Sequence, residues 1–367
     1  MVEHAADYEW RGEGEKAEIL VYAPDAATAE QTLERALPAA RLPGATSPVY
    51  VAASDSGFGW VAVSETHLAP DLFSALAWGL LLVAGVTPVD LGVPIGEVEG
   101  LILRNLSDAA LPRLGEREVR RAAESGALWA AEEGLIEEED LHLFEVADGD
   151  ADSLGRRAVA LGARDWTRPG RVRALRVAEI LDSEGAEDIG LNPGALALVV
   201  STGAEDLGRL AISGHRERIL ARVWGGDFGA MADLPAAPVD TEEARDLMAT
   251  IAAIKNYAAV RATLTVYALR RALKDAGALA LQAAWTVGGS EERDGRVVHR
   301  SGLAAAGVGE VLVAGRTVAA GTGGMMRSAP PFGVSEEDGR WAWEEAGLLS
   351  HRAVLEPLGG GAGEVAG

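Results

Sequence analysis

The sequence reads as an α/β protein, and three observations carry that reading. Apolar runs of strand length recur between stretches of helical spacing. Hydrophobic residues make up 48% of the chain, enough for a sizeable core. At 367 residues the chain can hold two average domains or one large α/β domain.

The elements follow in order. Glu18–Ala23 is a first strand, and Ala26–Leu37 has helical spacing, closed by Pro38 and Pro43. Pro48–Ala53 and Trp60–Val63 are the next strands, joined across a glycine turn at Ser54–Gly59. Leu72–Val89 carries no charge and sits at the lower limit of a membrane span. Asp71 and Asp90 bracket it, and Gly79, Gly85 and Pro88 interrupt it, so it reads as buried core elements and no membrane partner is expected. Glu116–Glu133 is an amphipathic helix stopped at Gly134. Glu137–Asp140 reads as a solvated acidic surface.

Leu196–Val200 is a short buried strand that Ser201-Thr202-Gly203 breaks; apolar residues resume at Leu210–Ile212. A small-residue turn after a strand frees backbone N–H groups that can cradle a phosphate. An ordinary strand-to-helix turn is the plainer reading. Asp240–Lys274 is the longest helical pattern, with a capping box from Asp240 and Glu243 and with Arg270, Arg271 and Lys274 near its end. Val297-Val298 and Val311–Val313 are late strands, and 359–367 is a flexible tail.

The net charge is −23, from 33 basic against 56 acidic residues. Such a surface repels phosphate backbones and disfavours nucleic acid as a partner. The absence of cysteine excludes disulfides, thiolate metal sites and cysteine nucleophiles. The N-terminal MVEHAADYEW is acidic and lacks the apolar core of a signal peptide, so a cytoplasmic location is expected.

Several segments resemble, in order, the motifs of the RtcB-type RNA ligases of tRNA splicing and RNA repair. Leu42-Pro43-Gly44 with Pro48–Val63 is similar to the family's early LPG segment and the Asp-x-His-x-Gly-x-Gly loop. Pro70–Ala75 resembles its Asp-Ile-Asn-Cys-Gly motif, and Val119–Gly134, with Gly126, Trp129 and Ala130, its GAxWA helix. Arg157–Val177 is similar to the stretch around Gly-Asn-His-Phe, and Leu196–Gly208 to the His-Ser-Gly-Ser-Arg-Gly-Leu-Gly turn. Asn256-Tyr257-Ala258 matches an Asn-Tyr-Ala signature, Val297–Gly302 resembles His-Arg-Lys-Gly, and Val311–Met326 a Gly-Ser-Met-Gly region.

The resemblance implies a single large domain over 42–357 with mixed sheets around a central cleft, preceded by a lineage-specific 1–41 and followed by the tail 358–367. It implies an ancestry in GTP- and manganese-dependent joining of 3′-phosphate or 2′,3′-cyclic phosphate ends to 5′-hydroxyl RNA through a histidine–guanylate. The residues that this chemistry needs are mostly replaced. The early loop has Ala53 and Asp55 at the family's Asp and His, and Ser74 stands at the cysteine. Arg173 replaces a ligand histidine, Ser201 stands at the histidine before the Ser-Gly-Ser turn, and Pro330–Val334 lacks the guanylated one. A site of Ser, Arg and Ala has no imidazole or thiolate for manganese.

The expectation is therefore a pseudo-ligase acting as a binding or regulatory protein, with no catalytic residue and no resident cofactor. Its ligand or partner is not readable from the residues. Asp71 is the one retained metal-ligand position. Ser201, Thr202, Gly203, Asn256, Arg171 and Arg173 are the positions expected to line the old nucleotide pocket. Arg171 and Arg173 alternate with Val172 and share one face of a strand. They either neutralise Asp55, Asp71 or Asp206, which we expect, or hold a phosphorylated small molecule. Retained ligase activity is the third alternative. His215 is expected to cap or flank a helix.

Overall fold

The computed structural model describes residues 8–10, 17–22, 26–45, 48–54, 57–70, 77–84, 100, 104, 112, 114–165, 171–180, 192–225, 235–273, 279–293, 295–304, 332–337, 340–345 and 353–357. In chain order the strands and α-helices are β1 (Tyr8–Trp10), β2 (Ile19–Tyr22), α1 (Ala26–Ala40), β3 (Val49–Ser54), β4 (Gly57–Ser64), β5 (His67–Leu68), β6 (Ala77–Ala84), α2 (Glu116–Glu132), α3 (Arg156–Asp165) and β7 (Arg171–Ile180). They continue with β8 (Leu196–Gly203), α4 (Glu205–Arg222), β9 (Ala237–Pro238), α5 (Glu242–Ala272), β10 (Leu279–Arg293), β11 (Arg296–Ala304), β12 (Phe332–Glu337), β13 (Arg340–Glu345) and β14 (Ala353–Pro357). Helix and sheet are mixed, as the sequence predicts.

Ten strands form one sheet in the order β1-β2-β3-β4-β11-β10-β6-β8-β7-β14. Its described pairings are antiparallel except β2 with β3, which run parallel because α1 carries the chain across between them. The apolar run near Leu72–Val89 supplies β6 in the middle of this sheet, and no described helix is long and apolar enough to cross a membrane. Alternation sets the core-facing side. Trp78, Leu80 and Leu82 of β6 and Leu196, Leu198 and Val200 of β8 are all buried in one cluster with α2, α4 and α5. A second cluster joins Ile19, Val21, Val49 and Val51 to the alanine face of α1.

Four expectations are corrected. First, α1 runs through Pro38 to Ala40. Ala36, Ala39 and Ala40 are fully buried there, and their packing outweighs the missing N–H of proline in a last turn. Second, α5 is capped by Thr241, not Asp240: the Thr241 hydroxyl accepts the Ala244 N–H at 3.3 Å. Third, the acidic run 137–140 is not wholly solvated. Asp140 is buried in a 3₁₀ turn (Glu138–Leu143), where its Oδ2 accepts from Arg270 Nη1 at 2.6 Å. Fourth, His215 lies inside α4 and is buried rather than at a helix end.

Helix α2 stops as expected at Gly134, whose φ of 68° begins a Schellman turn. The Gly134 N–H bonds the Ala131 carbonyl at 2.9 Å and the Leu135 N–H the Ala130 carbonyl at 2.8 Å. Val311–Val313, Asp55, Asp71, Ser74 and 359–367 lie outside the described residues.

Candidate functional site

β6 and β7 both run antiparallel to β8, so their first residues meet its last. Arg171 pairs in register with Ser201, Arg173 with Val199, Gly79 with Ser201 and Ala77 with Gly203. Across the next strand, Val287 of β10 pairs with Ala77. One end of the sheet thus gathers Arg171, Ser201, Gly203, Ala77 and Val287. Positions 199 and 201 alternate with the buried, helix-facing Leu198, Val200 and Thr202.

The Ser201–Gly203 turn is corrected. Pairing with β6 carries the strand through Gly203, and α4 starts at Glu205 after Ala204. Its first turn holds Asp206 near the positive end of the helix. Asp206 Oδ1 accepts from Arg209 at 3.2 Å. The Gly203 carbonyl accepts the Arg261 guanidinium, and the buried Thr202 hydroxyl has no hydrogen-bond partner. This end of β8 is a strand terminus that runs through Gly203 into α4, not a small-residue turn.

Asn256 is also corrected, from pocket lining to a fully buried structural amide on α5. Its Oδ1 accepts the Ala147 N–H at 2.9 Å. Its Nδ2 donates to the carbonyls of Ala123 at 2.9 Å, Ala147 at 2.8 Å and Glu124 at 3.2 Å. Both N–H groups of the amide and one lone pair of its oxygen are thus engaged by the backbone.

Among the described residues no group of three or more His, Cys, Asp or Glu is placed to hold a metal. By residue type the positions paired at this sheet end, Arg171, Ser201, Gly203, Ala77 and Val287, include no imidazole, thiolate or carboxylate, which does not fit manganese.

A polar cluster missed by the sequence reading lies beside the same sheet end. Lys255 of α5 and Arg300 of β11 line one small cavity with Thr286, Gly288, Gly289, Ser290 and the carboxylate of Glu291. The sheet is irregular there: between the pairs Val287–Ala304 and Gly289–Arg300, Gly288 alone faces Ser301–Leu303. Both cations are buried, at 8% and 4% exposure. Lys255 Nζ pairs with Glu145, whose side chain is 69% exposed, and Arg300 pairs with Glu291. Two signals for this cluster were in the sequence. Lys255 is one of only three lysines. The Gly288-Gly289 pair inside a strand marks close approach or irregularity.

Behind the cavity, His299 Nε2 donates to the His67 carbonyl at 3.4 Å, which leaves Nδ1 to accept the Ser290 hydroxyl at 2.9 Å. Burial pushes His299 down to about 4, against a smaller upward pull from the His67 carbonyl, so the ring is neutral. Burial also lowers His67, opposed by Asp240. Neither nitrogen of His299 is available as a metal ligand.

Compared with known proteins, the chain matches no family model and no curated protein.

Proposed function

We propose that the chain is an RtcB-like protein that has lost ligase chemistry and works as a binding or regulatory protein. The register carries the reading. The strands β6, β7 and β8, which follow Pro70–Ala75 or overlap Arg157–Val177 and Leu196–Gly208, three segments similar to separate ligase motifs, meet at one end of one sheet. The residues at that meeting point are Arg171, Ser201 and Gly203, which supply no imidazole to take up a guanylate. The acidic charge of −23 adds a general repulsion toward polynucleotides.

Incubation of the full chain with GTP and Mn²⁺ is expected to leave its mass unchanged, and a 3′-phosphate RNA with a 5′-hydroxyl partner is expected to stay unjoined. A GMP adduct mapped to any histidine, or a joined RNA product, would overturn the reading.

A further inference from the structure

The end of α5 and the segment that follows α2 enclose a cleft of about 480 Å³, the size of a small-molecule site. Tyr267, Arg270 and Arg271 stand at i, i+3 and i+4 on α5, so one helix face supplies all three. Residues 134–137 form the opposite wall, where Leu135 and Ile136, each 7% exposed, make an apolar floor. The cleft is separate from the sheet end described above. Arg270 Nε donates to the Leu279 carbonyl, and Leu279 pairs with Ala84, at the opposite end of β6 from Ala77.

Three charged groups line this cleft, and they are not equivalent. Arg270 is committed to the buried Asp140 and to the Leu279 carbonyl. Arg271 is exposed. Its Nη1 donates to the Tyr267 hydroxyl at 2.9 Å, and its guanidinium carbon lies 5.5 Å from the centre of the Tyr267 ring. Among the described residues Arg271 has no carboxylate partner, so most of its N–H donors are left for another acceptor. Glu137, with its side chain 67% exposed, approaches a cation only at Arg270, at 3.7 Å, beyond hydrogen-bond distance. A cation in the last turn suits the helix dipole. The dipole does not require the stack on Tyr267, which holds the guanidinium in place at the cleft.

We infer that this cleft binds a free amino acid with a large apolar side chain. Arg271 takes the carboxylate and Glu137 the ammonium, both by charge-assisted hydrogen bonds. The side chain lies against Leu135, Ile136 and the Tyr267 ring. A purely anionic ligand would meet Glu137, and a purely cationic one would meet Arg271. A zwitterion answers both charges, and an apolar side chain answers the floor between them. The stack on Tyr267 orients the guanidinium beforehand, which lowers the ordering cost of binding. The inference goes beyond the loss of ligase chemistry and does not depend on it. A free amino acid takes part in neither guanylation nor RNA joining, so the two readings fail separately.

The test is calorimetric titration of the full chain with L-leucine, L-phenylalanine and L-tryptophan at millimolar concentration. N-acetyl-L-phenylalanine, which lacks the ammonium, and L-phenylalaninamide, which lacks the carboxylate, are the controls. Wild type is expected to bind at least one of the three amino acids and to bind the two derivatives at least about tenfold more weakly than phenylalanine. Arg271→Met keeps an apolar stem beside Tyr267 and removes the guanidinium. Glu137→Gln keeps the shape of the side chain and removes its charge. Arg270 retains Asp140 and the Leu279 carbonyl in both variants. Each variant is expected to weaken amino-acid binding by about tenfold. Arg271→Met should also lose discrimination against the amide, and Glu137→Gln discrimination against the N-acetyl form. Circular dichroism melting checks that both variants are folded. Absence of binding for all three amino acids overturns the proposal, as does binding that is unchanged in either variant.

Discussion

Asn256 closes the break that Gly126 makes in α2. Gly126 sits inside that helix with φ 55° and ψ −137°, outside helical geometry. The turn before it therefore has carbonyls without helical partners, and Asn256 Nδ2 takes those of Ala123 and Glu124. The same amide binds both backbone groups of Ala147, so one side chain ties α5, α2 and the 144–150 segment together.

Asn256→Ala is expected to destabilise the chain strongly. It leaves the buried Ala123 carbonyl and the half-buried backbone groups of Ala147 without their partner, at about 1–3 kcal/mol for a fully buried group and less for the others. Asn256→Asp should be at least as damaging, because it sets a carboxylate oxygen against three carbonyls. Urea unfolding followed by circular dichroism measures both. A change within the error of wild type would refute the clamp.

Gly126→Ala tests the other half of the relationship. A Cβ there would lie 3.0 Å from Asn256 Oδ1, and the positive φ is itself unfavourable for alanine. A loss of about 1–3 kcal/mol is expected. In a double-mutant cycle with Asn256→Ala the two effects should fall short of additivity, since both act on one contact.

These residues also separate what the sequence makes legible from what it hides. The period of α5 shows directly, because Leu247, Ile251, Ile254 and Ala258 repeat on one buried face. The apolar run Leu196–Val200 shows β8 in the same local way. Its continuation through Ser201–Gly203 does not show, since it depends on pairing with β6, more than a hundred residues earlier. The role of Asn256 is hidden for the same reason: an Asn-Tyr-Ala triplet carries no sign of a helix break at Gly126. Lys255 reads as one more polar residue on a long helix until β10 and β11 close over it.

Arg270 is expected to be the most sensitive charge on α5. Its Nη1 donates to Asp140 Oδ2 at 2.6 Å and its Nε to the Leu279 carbonyl at 3.0 Å, joining the end of α5 to the 3₁₀ turn and to β10. Arg270→Met leaves the buried Asp140 carboxylate uncompensated and should lower stability by about 3–5 kcal/mol. Adding Asp140→Asn to that variant removes the buried charge and should restore part of the loss. If the second change made matters worse by its full single-variant cost, the pair would not be acting as an ion pair.

The buried histidines predict how stability depends on pH. In α4, His215 Nε2 lies 2.9 Å from Thr250 Oγ1, whose own proton goes to the Asp246 carbonyl at 2.9 Å. Nε2 is therefore the donor, and Nδ1 accepts from Arg218 at 2.9 Å. Burial first, and Arg218 second, push His215 down to about 4, against an upward pull from Asp246. His299 is pushed to about 4 as well, by burial. In the unfolded chain both titrate near ~6.5. Between pH ~6.5 and ~4 the unfolded state thus binds protons that the folded state refuses, and stability falls as pH falls through that window. Each histidine contributes a slope of up to about 1.4 kcal/mol per pH unit, and above the window its contribution is constant. Denaturant unfolding at pH 7.5, 6 and 5 measures the slope. His215→Gln, which keeps an amide N–H for Thr250 but does not titrate, should reduce it by about one proton's worth. A variant with the same pH slope as wild type would show that His215 is not held neutral by the fold.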